Sequence, residues 1–309
     1  MHLALPEHIN SDALIPFLNL LSLHRDEPTI TLDFSQLNRI SPAGFSSLTA
    51  WQTYRRNHGY ITNAEGISKC PISGYLQRLN LLSLCNWDIL PSQLPRNDPS
   101  RRFIPLEKIA HPIESLGERF ADCLAPGGED YEHPLAGLWE ATYYLITEMA
   151  NNVHQHSLGK GFACVQFTQN DDFVRIAIAD SGKGIPSVLR AGLVEAKNLN
   201  DLECLEKALE PKISTKGQPT NEGVGLTLSS IVTGLMGGWL MVSSGGGILT
   251  CKPDGKRASS LLPSPGLPGT LITMAFKRTE AADFDSRLSK AKELGGLLHP
   301  ERHSGRFRA

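Results

Sequence analysis

Apolar residues between positions 138 and 153 recur at the spacing of one helix face. At about 100° per residue, Leu138, Thr142, Leu145, Met149 and Val153 stack into a narrow stripe, so an amphipathic helix is predicted there. The next pattern is alternation. Residues 162–168 and 173–180 read as two strands around an Asn170-Asp171-Asp172 turn, with Val174, Ile176, Ile178 and Asp180 on one face. Upstream, residues 29–34 form a β-branched run. Ser41-Pro42 then marks a helix start, with Ser as N-cap and Pro in the first turn, and that helix runs to Arg56 before Gly59. A second strand at 60–62 and a short helix at 71–82 follow. Downstream, residues 186–210 are partly helical, with Leu189, Leu193, Leu202 and Leu205 turned inward, and 226–236 form a helix stopped by Gly237-Gly238. Residues 239–243 and 248–251 make a hairpin, 253–268 an extended surface loop, 270–276 a last strand, and 284–294 a short helix before a basic tail.

Length and breaker residues divide this pattern. The chain has 309 residues, which favours two domains. Residues 91–102 are rich in Pro, Ser and charge, and 103–106 form a strand leading into the second half, where residues 114–124 add a helix. The predicted organisation is a small α/β domain over 1–90, a linker over 91–112, a larger α/β domain over 113–278, and a helix with a basic tail over 279–309. Composition narrows the function classes. A net charge of −2 with 20% charged residues argues against a dedicated nucleic-acid or anionic-membrane surface. Cys70, Cys85, Cys123, Cys164, Cys204 and Cys251 show no metal or disulfide spacing, which fits a reducing cytoplasm. The uncharged stretch 223–251 holds eight glycines, so it reads as a buried helix plus strand and not as a membrane span.

The candidate chemistry lies along the central helix. Glu148, Asn152 and His156 are four residues apart and climb one line at the margin of the apolar stripe. A carboxylate there can activate a nucleophile, and an amide oxygen can help hold Mg²⁺. Taken alone, such a column is more often a polar helix edge. Asp180 ends an apolar row, where a carboxylate needs a partner, and Gly182 and Gly184 allow backbone to approach a ligand. Taken alone, Asp-x-Gly-x-Gly is more often a tight turn. Residues 214–222 carry little apolar content. They include Lys216, which suits a phosphate or simply solvent, and Gly223 and Gly225 then open a helix whose N–H groups suit phosphates.

The ordered boxes Glu148-x3-Asn152-x3-His156, Asp180-x-Gly182-x-Gly184, Gly223-x-Gly225-Leu226 and Gly266-x-x-Gly269-Thr270 resemble those of the GHKL ATPases. These are the gyrase, heat-shock chaperone, histidine-kinase and mismatch-repair group, with a Bergerat-type α/β sandwich. The resemblance covers residues ~135 to 276 and implies ATP and Mg²⁺ as cofactors. It makes Asn152 the metal ligand, Glu148 the general base and Asp180 the reader of the adenine amino group. It also implies that Gly182, Gly184, Gly223 and Gly225 line the nucleotide, that Lys216 sits in a lid near the γ-phosphate, and that Thr270 supports the adenine side. His156 then serves helix packing.

The N-terminal order of strand, Asp33-Phe34-Ser35, Ile40-Ser41-x-x-Gly44, helix, strand and Tyr75-Leu76-x-x-Leu79-Asn80-Leu81 resembles a STAS domain. A small α/β domain of other ancestry stays open. In partner-switching STAS domains a Ser or Thr precedes the helix-starting glycine, and here that position is Ala43, which has no hydroxyl. The two resemblances together imply an anti-sigma-type protein serine/threonine kinase acting on a STAS-domain or sigma-factor-type partner. The alternative is an ATP-driven conformational switch that controls a protein interaction. No nucleic-acid or membrane partner is expected, and a homodimer is compatible with the pattern.

Overall fold

The computed structural model describes residues 1–87, 103–167, 171–211, 213 and 223–297. The N-terminal unit runs β1 (His2–Ala4), β2 (His8–Ile9), α1 (Leu14–Leu23), β3 (Thr29–Asp33), β4 (Arg39–Ile40), α2 (Pro42–Asn57), β5 (Ile61–Glu65), α3 (Ser73–Arg78) and α4 (Leu81–Cys85). The second unit continues with β6 (Phe103–Lys108), α5 (Ile113–Leu124), α6 (Ala136–Asn152), β7 (Gly161–Phe167), β8 (Phe173–Asp180), α7 (Ile185–Gly192) and α8 (Asp201–Ala208). It closes with α9 (Gly225–Leu235), β9 (Trp239–Gly245), β10 (Gly247–Cys251), β11 (Arg257–Leu261), β12 (Leu267–Lys277) and α10 (Phe284–Leu294). The chain is therefore a mixed α/β protein. Strands β1, β3 and β5 form a parallel sheet in the order β1-β3-β5, and β2 pairs with β4. The second sheet has seven antiparallel strands in the order β11-β10-β9-β12-β8-β7-β6.

Each face of the large sheet is buried by a different part of the chain. Strand alternation sends Val174, Ile176 and Ile178 to the face covered by α5, α6, α9 and α10. Ala177, Ala179, Met241 and Leu271 turn the other way, into a core shared with the N-terminal unit. Helix α2 packs on β7, β8 and β12 of the large sheet and on β5 of the small one. Its Phe45, Leu48 and Trp51 are at most 1% exposed, each contributing about 1.5–3 kcal/mol of burial, and the Ser46 hydroxyl donates to the Ala177 carbonyl at 3.2 Å. The halves thus share one core and do not sit as beads on a string. Where they meet near β7 and β8, a cavity of about 410 Å³ is lined by polar side chains including Arg39, Gln166 and Arg175, the last already paired with Asp171.

Three expectations need correction. The linker range 91–112 ends in structure: β6 is the edge strand beside β7, paired Phe103↔Gln166 through Lys108↔Phe162, and residues 91–102 lie outside the described residues. The expected surface loop 253–268 contains β11, which pairs with β10. Its Arg-Ala-Ser-Ser-Leu sequence lacks the apolar alternation that signals a strand, because it is an exposed edge. The short helix over 71–82 is two helices, α3 and α4, separated at Asn80, whose φ is +62°. Strands β1, β2 and β4 are too short to leave a pattern in the sequence. Among the described residues no helix is long and apolar enough to cross a membrane.

Candidate functional site

Helix α6 buries Leu138, Leu145 and Met149, and its polar margin borders a cavity of about 420 Å³. Glu148, Asn152 and His156 all line that cavity, so the structure brings the column together on one wall. The α-helix stops at Asn152, and Val153–Ser157 form a wider π turn, an insertion that re-aims the side chains after it. The turn sends Ser157 inward and ends at Leu158 (φ +56°). Burial alone pushes the Glu148 carboxyl above its ordinary value, which makes it a better proton acceptor near neutrality.

A second wall comes from three adjacent strand ends. On β8 the apolar row ends at Asp180, which is 4% exposed and borders the cavity. Its Oδ1 accepts from the Ser157 hydroxyl at 2.5 Å and from the Gly182 N–H at 2.8 Å, and its Oδ2 accepts from the Thr270 N–H at 3.2 Å. A carboxylate has about four acceptor sites, so Oδ2 keeps one for a donor in the cavity. Despite these bonds, burial pushes Asp180 up to about 6. On the neighbouring β12, the Thr270 hydroxyl lies 3.0 Å from the Ser244 hydroxyl of β9. Ser244 in turn donates to the Gly269 carbonyl at 2.7 Å and accepts from the Ile185 N–H at 2.9 Å. Apolar side chains of Ile185, Val188, Leu189, Ile213, Val224 and Ile272 complete the slot.

Two glycines mark where backbone must pass close to the site. A side-chain carbon at Gly182 would lie 1.9 Å from the Ser157 carbonyl oxygen, and one at Gly225 would lie 2.1 Å from Glu148 Oε2. The two should fail differently. Gly182→Ala pushes on backbone and is expected to destabilise the fold by about 1–3 kcal/mol. Gly225→Ala meets only the end of a flexible side chain, so the Glu148 carboxylate should shift while the melting temperature holds. Thermal melts on both variants check this pair.

Gly184 and Gly223 border the same cavity, whereas Lys216 lies outside the described residues. Sequence reasoning missed Ser157 and Ser244. Ser244 had a signal: Leu240, Val242 and Ser244 form an apolar row ending in a polar group, as Val174 to Asp180 do. Ser157 had none, since its aim depends on the π turn. A solvent-facing cluster of His2, Asp33 and Glu65 has ligand atoms within 4.8 Å of one another, but Ser35 already bonds both Asp33 oxygens.

The arrangement is an apolar slot lined by a buried acceptor and, from α6, by a carboxylate of raised proton affinity one helical turn before an amide. No protein-family model and no curated protein matches the chain.

Proposed function

We propose that the chain binds Mg²⁺ and ATP through a GHKL-type sandwich and acts as a serine/threonine kinase of the anti-sigma type. The observation that carries the nucleotide reading is Asp180, a buried carboxylate with one acceptor site left over at the edge of an apolar slot. That acceptor suits the amino group of adenine. The carbonyl that guanine carries at the same position would face it acceptor to acceptor. From α6, which lines the same slot, Asn152 would supply an oxygen to Mg²⁺, whose chemistry is to neutralise phosphate charge, and Glu148 would take the proton of the attacking hydroxyl. The first N–H groups of α9, which opens at Gly225 with Gly223 just before it, suit the phosphates.

The N-terminal unit, with its parallel sheet and α2 opened by Ser41 and Pro42, supports a STAS-like docking or sensing module. It is a poor phosphoacceptor. Ala43 stands at the usual position and is buried, the Ser41 oxygen caps α2 by accepting from the Gly44 N–H, and Ser46 is fully buried against Ala177. Intact-mass measurement after incubation with ATP is expected to show no phosphate on residues 1–87. A phosphopeptide carrying Ser41 or Ser46 would overturn this.

The shared core between the two units favours a second reading, an ATP-driven switch whose nucleotide state changes a protein interface. Calorimetry with Mg·ATP and Mg·GTP tests the site: ATP should bind and GTP should not, and equal binding would remove the Asp180 assignment. Labelled ATP supplied with STAS-domain proteins then separates the readings, since transfer supports the kinase and binding without transfer supports the switch.

A further inference from the structure

The segment that brings Gly269 and Thr270 to Asp180 is held at its other end by the N-terminal unit. The Ser22 hydroxyl of α1 donates to the Pro263 carbonyl at 2.5 Å. Just beyond α1, Nη1 of Arg25 donates to the carbonyls of Pro265 at 3.1 Å and Gly266 at 3.4 Å. Arg25 is itself fixed, through Nε and Nη2 on the two oxygens of Asp26 at 2.8 and 2.6 Å, with its guanidinium 5.4 Å from the Tyr54 ring centre. Leu262 and Leu267 flank these tethers and are buried in the core that the two units share.

Between the tethers and Asp180 the chain has one adjustable joint. The register of β12 on β9 shifts between Leu267 and Thr270, a bulge in which Gly269 takes φ +64°. A side-chain carbon at Gly269 would lie 2.0 Å from the Asp180 carbonyl oxygen, so the bulge rests directly on the residue it serves. Beyond it, the Thr270 N–H makes the longest of the three bonds to the Asp180 carboxylate and the only one of them to Oδ2, the oxygen with acceptor capacity to spare.

We propose that the N-terminal unit regulates the ligand affinity of the cavity through this strap, with Ser22 and Arg25 as positioning residues for Thr270. A partner or signal that draws the end of α1 away from residues 263–266 releases the bulge, and Thr270 then withdraws its N–H from Oδ2. The carboxylate loses the donor that orients its free acceptor site. The coupling is reciprocal: a ligand that seats on Asp180 tightens the tethers at Ser22 and Arg25. This gives the N-terminal unit a role that needs no phosphate on it.

The ligand in this inference rests on the nucleotide reading; the strap does not. The test compares the full-length wild type with Ser22→Ala and Arg25→Met, using amide hydrogen exchange without ligand and calorimetry with Mg·ATP. Exchange at Thr270 should rise in both variants, and Mg·ATP affinity should fall about two- to tenfold, the usual effect of losing one hydrogen bond. Added Mg·ATP should slow exchange across residues 262–270 in the wild type. A merely structural role would instead raise exchange throughout α1 and β3 and lower the melting temperature, with Thr270 affected no more than its neighbours. Unchanged exchange at Thr270 in both variants, or faster exchange with undiminished affinity, overturns the proposal. A strap that responds in a wild type that binds no Mg·ATP establishes the tether and sinks the nucleotide reading alone.

Discussion

Asp180→Asn is expected to lower Mg·ATP affinity about five- to 150-fold, the factor for leaving one buried polar contact mismatched. The carboxylate accepts on both oxygens, from Ser157 and Gly182 on one and from Thr270 on the other. An asparagine has one acceptor oxygen, so one orientation points its amino group at the Thr270 N–H and removes the acceptor proposed for adenine, and the other keeps that acceptor only by pointing the amino group at the Gly182 N–H. The wild-type site should also depend on pH. Burial lifts Asp180 to about 6 from an ordinary 3.8. Below the ordinary value the group is neutral in both folded and unfolded chains. As pH rises through about 6 the folded chain must ionise it, and the stability contributed by the neutral acid is lost, about 3 kcal/mol for a shift of this size. A ligand donor bonded to the carboxylate offsets that cost, so the nucleotide should raise the melting temperature more at neutral pH than at about pH 5. Calorimetry on a folded Asp180→Asn variant that shows unchanged affinity removes Asp180 from the site.

What the sequence made legible was local. Helix α6, the strands around residues 170–172 and the turns at Gly182 and Gly237 depend on neighbours within a few residues, and periodicity or a breaker residue marks each of them. What it hid was non-local. Ser157 matters because of Asp180, 23 residues on, and Ser22 because of Pro263, 241 residues on. Helix α2 shows why burial misleads in the same way. Its Ser46, Ser47, Thr49 and Thr53 suggest a solvent face, yet all are buried, because the helix meets both sheets. Small hydroxyls tolerate this when they return a bond to the backbone, as Ser47 does to the Ala43 carbonyl at 2.6 Å. Edge strand β11 fails for the opposite reason: a strand exposed along most of its length has no apolar face to announce it.

The second large effect separates binding from chemistry on α6. Glu148→Gln keeps the size of the side chain and its hydrogen bonding but cannot take a proton. Losing a general base costs about 10²–10⁴ in rate, so turnover or transfer should fall by that factor while Mg·ATP affinity stays nearly constant. The raised basicity of Glu148 adds a signature. Activity should decline as acid protonates this carboxyl, at a higher pH than an ordinary glutamate would give, and the Gln variant should lose that limb of the profile. Asn152→Ala acts one helical turn further along the same wall, where it removes an oxygen suited to Mg²⁺. It should weaken Mg·ATP binding itself, and the loss should shrink when nucleotide is supplied without the metal. The two variants therefore fail in different assays, the first in turnover and the second in metal-dependent binding. A Glu148→Gln chain that turns over ATP as fast as wild type ends the catalytic reading. A wild type that binds ATP but neither hydrolyses nor transfers it, with any partner tried, makes the cavity a switch whose output is the strap and the N-terminal unit it holds.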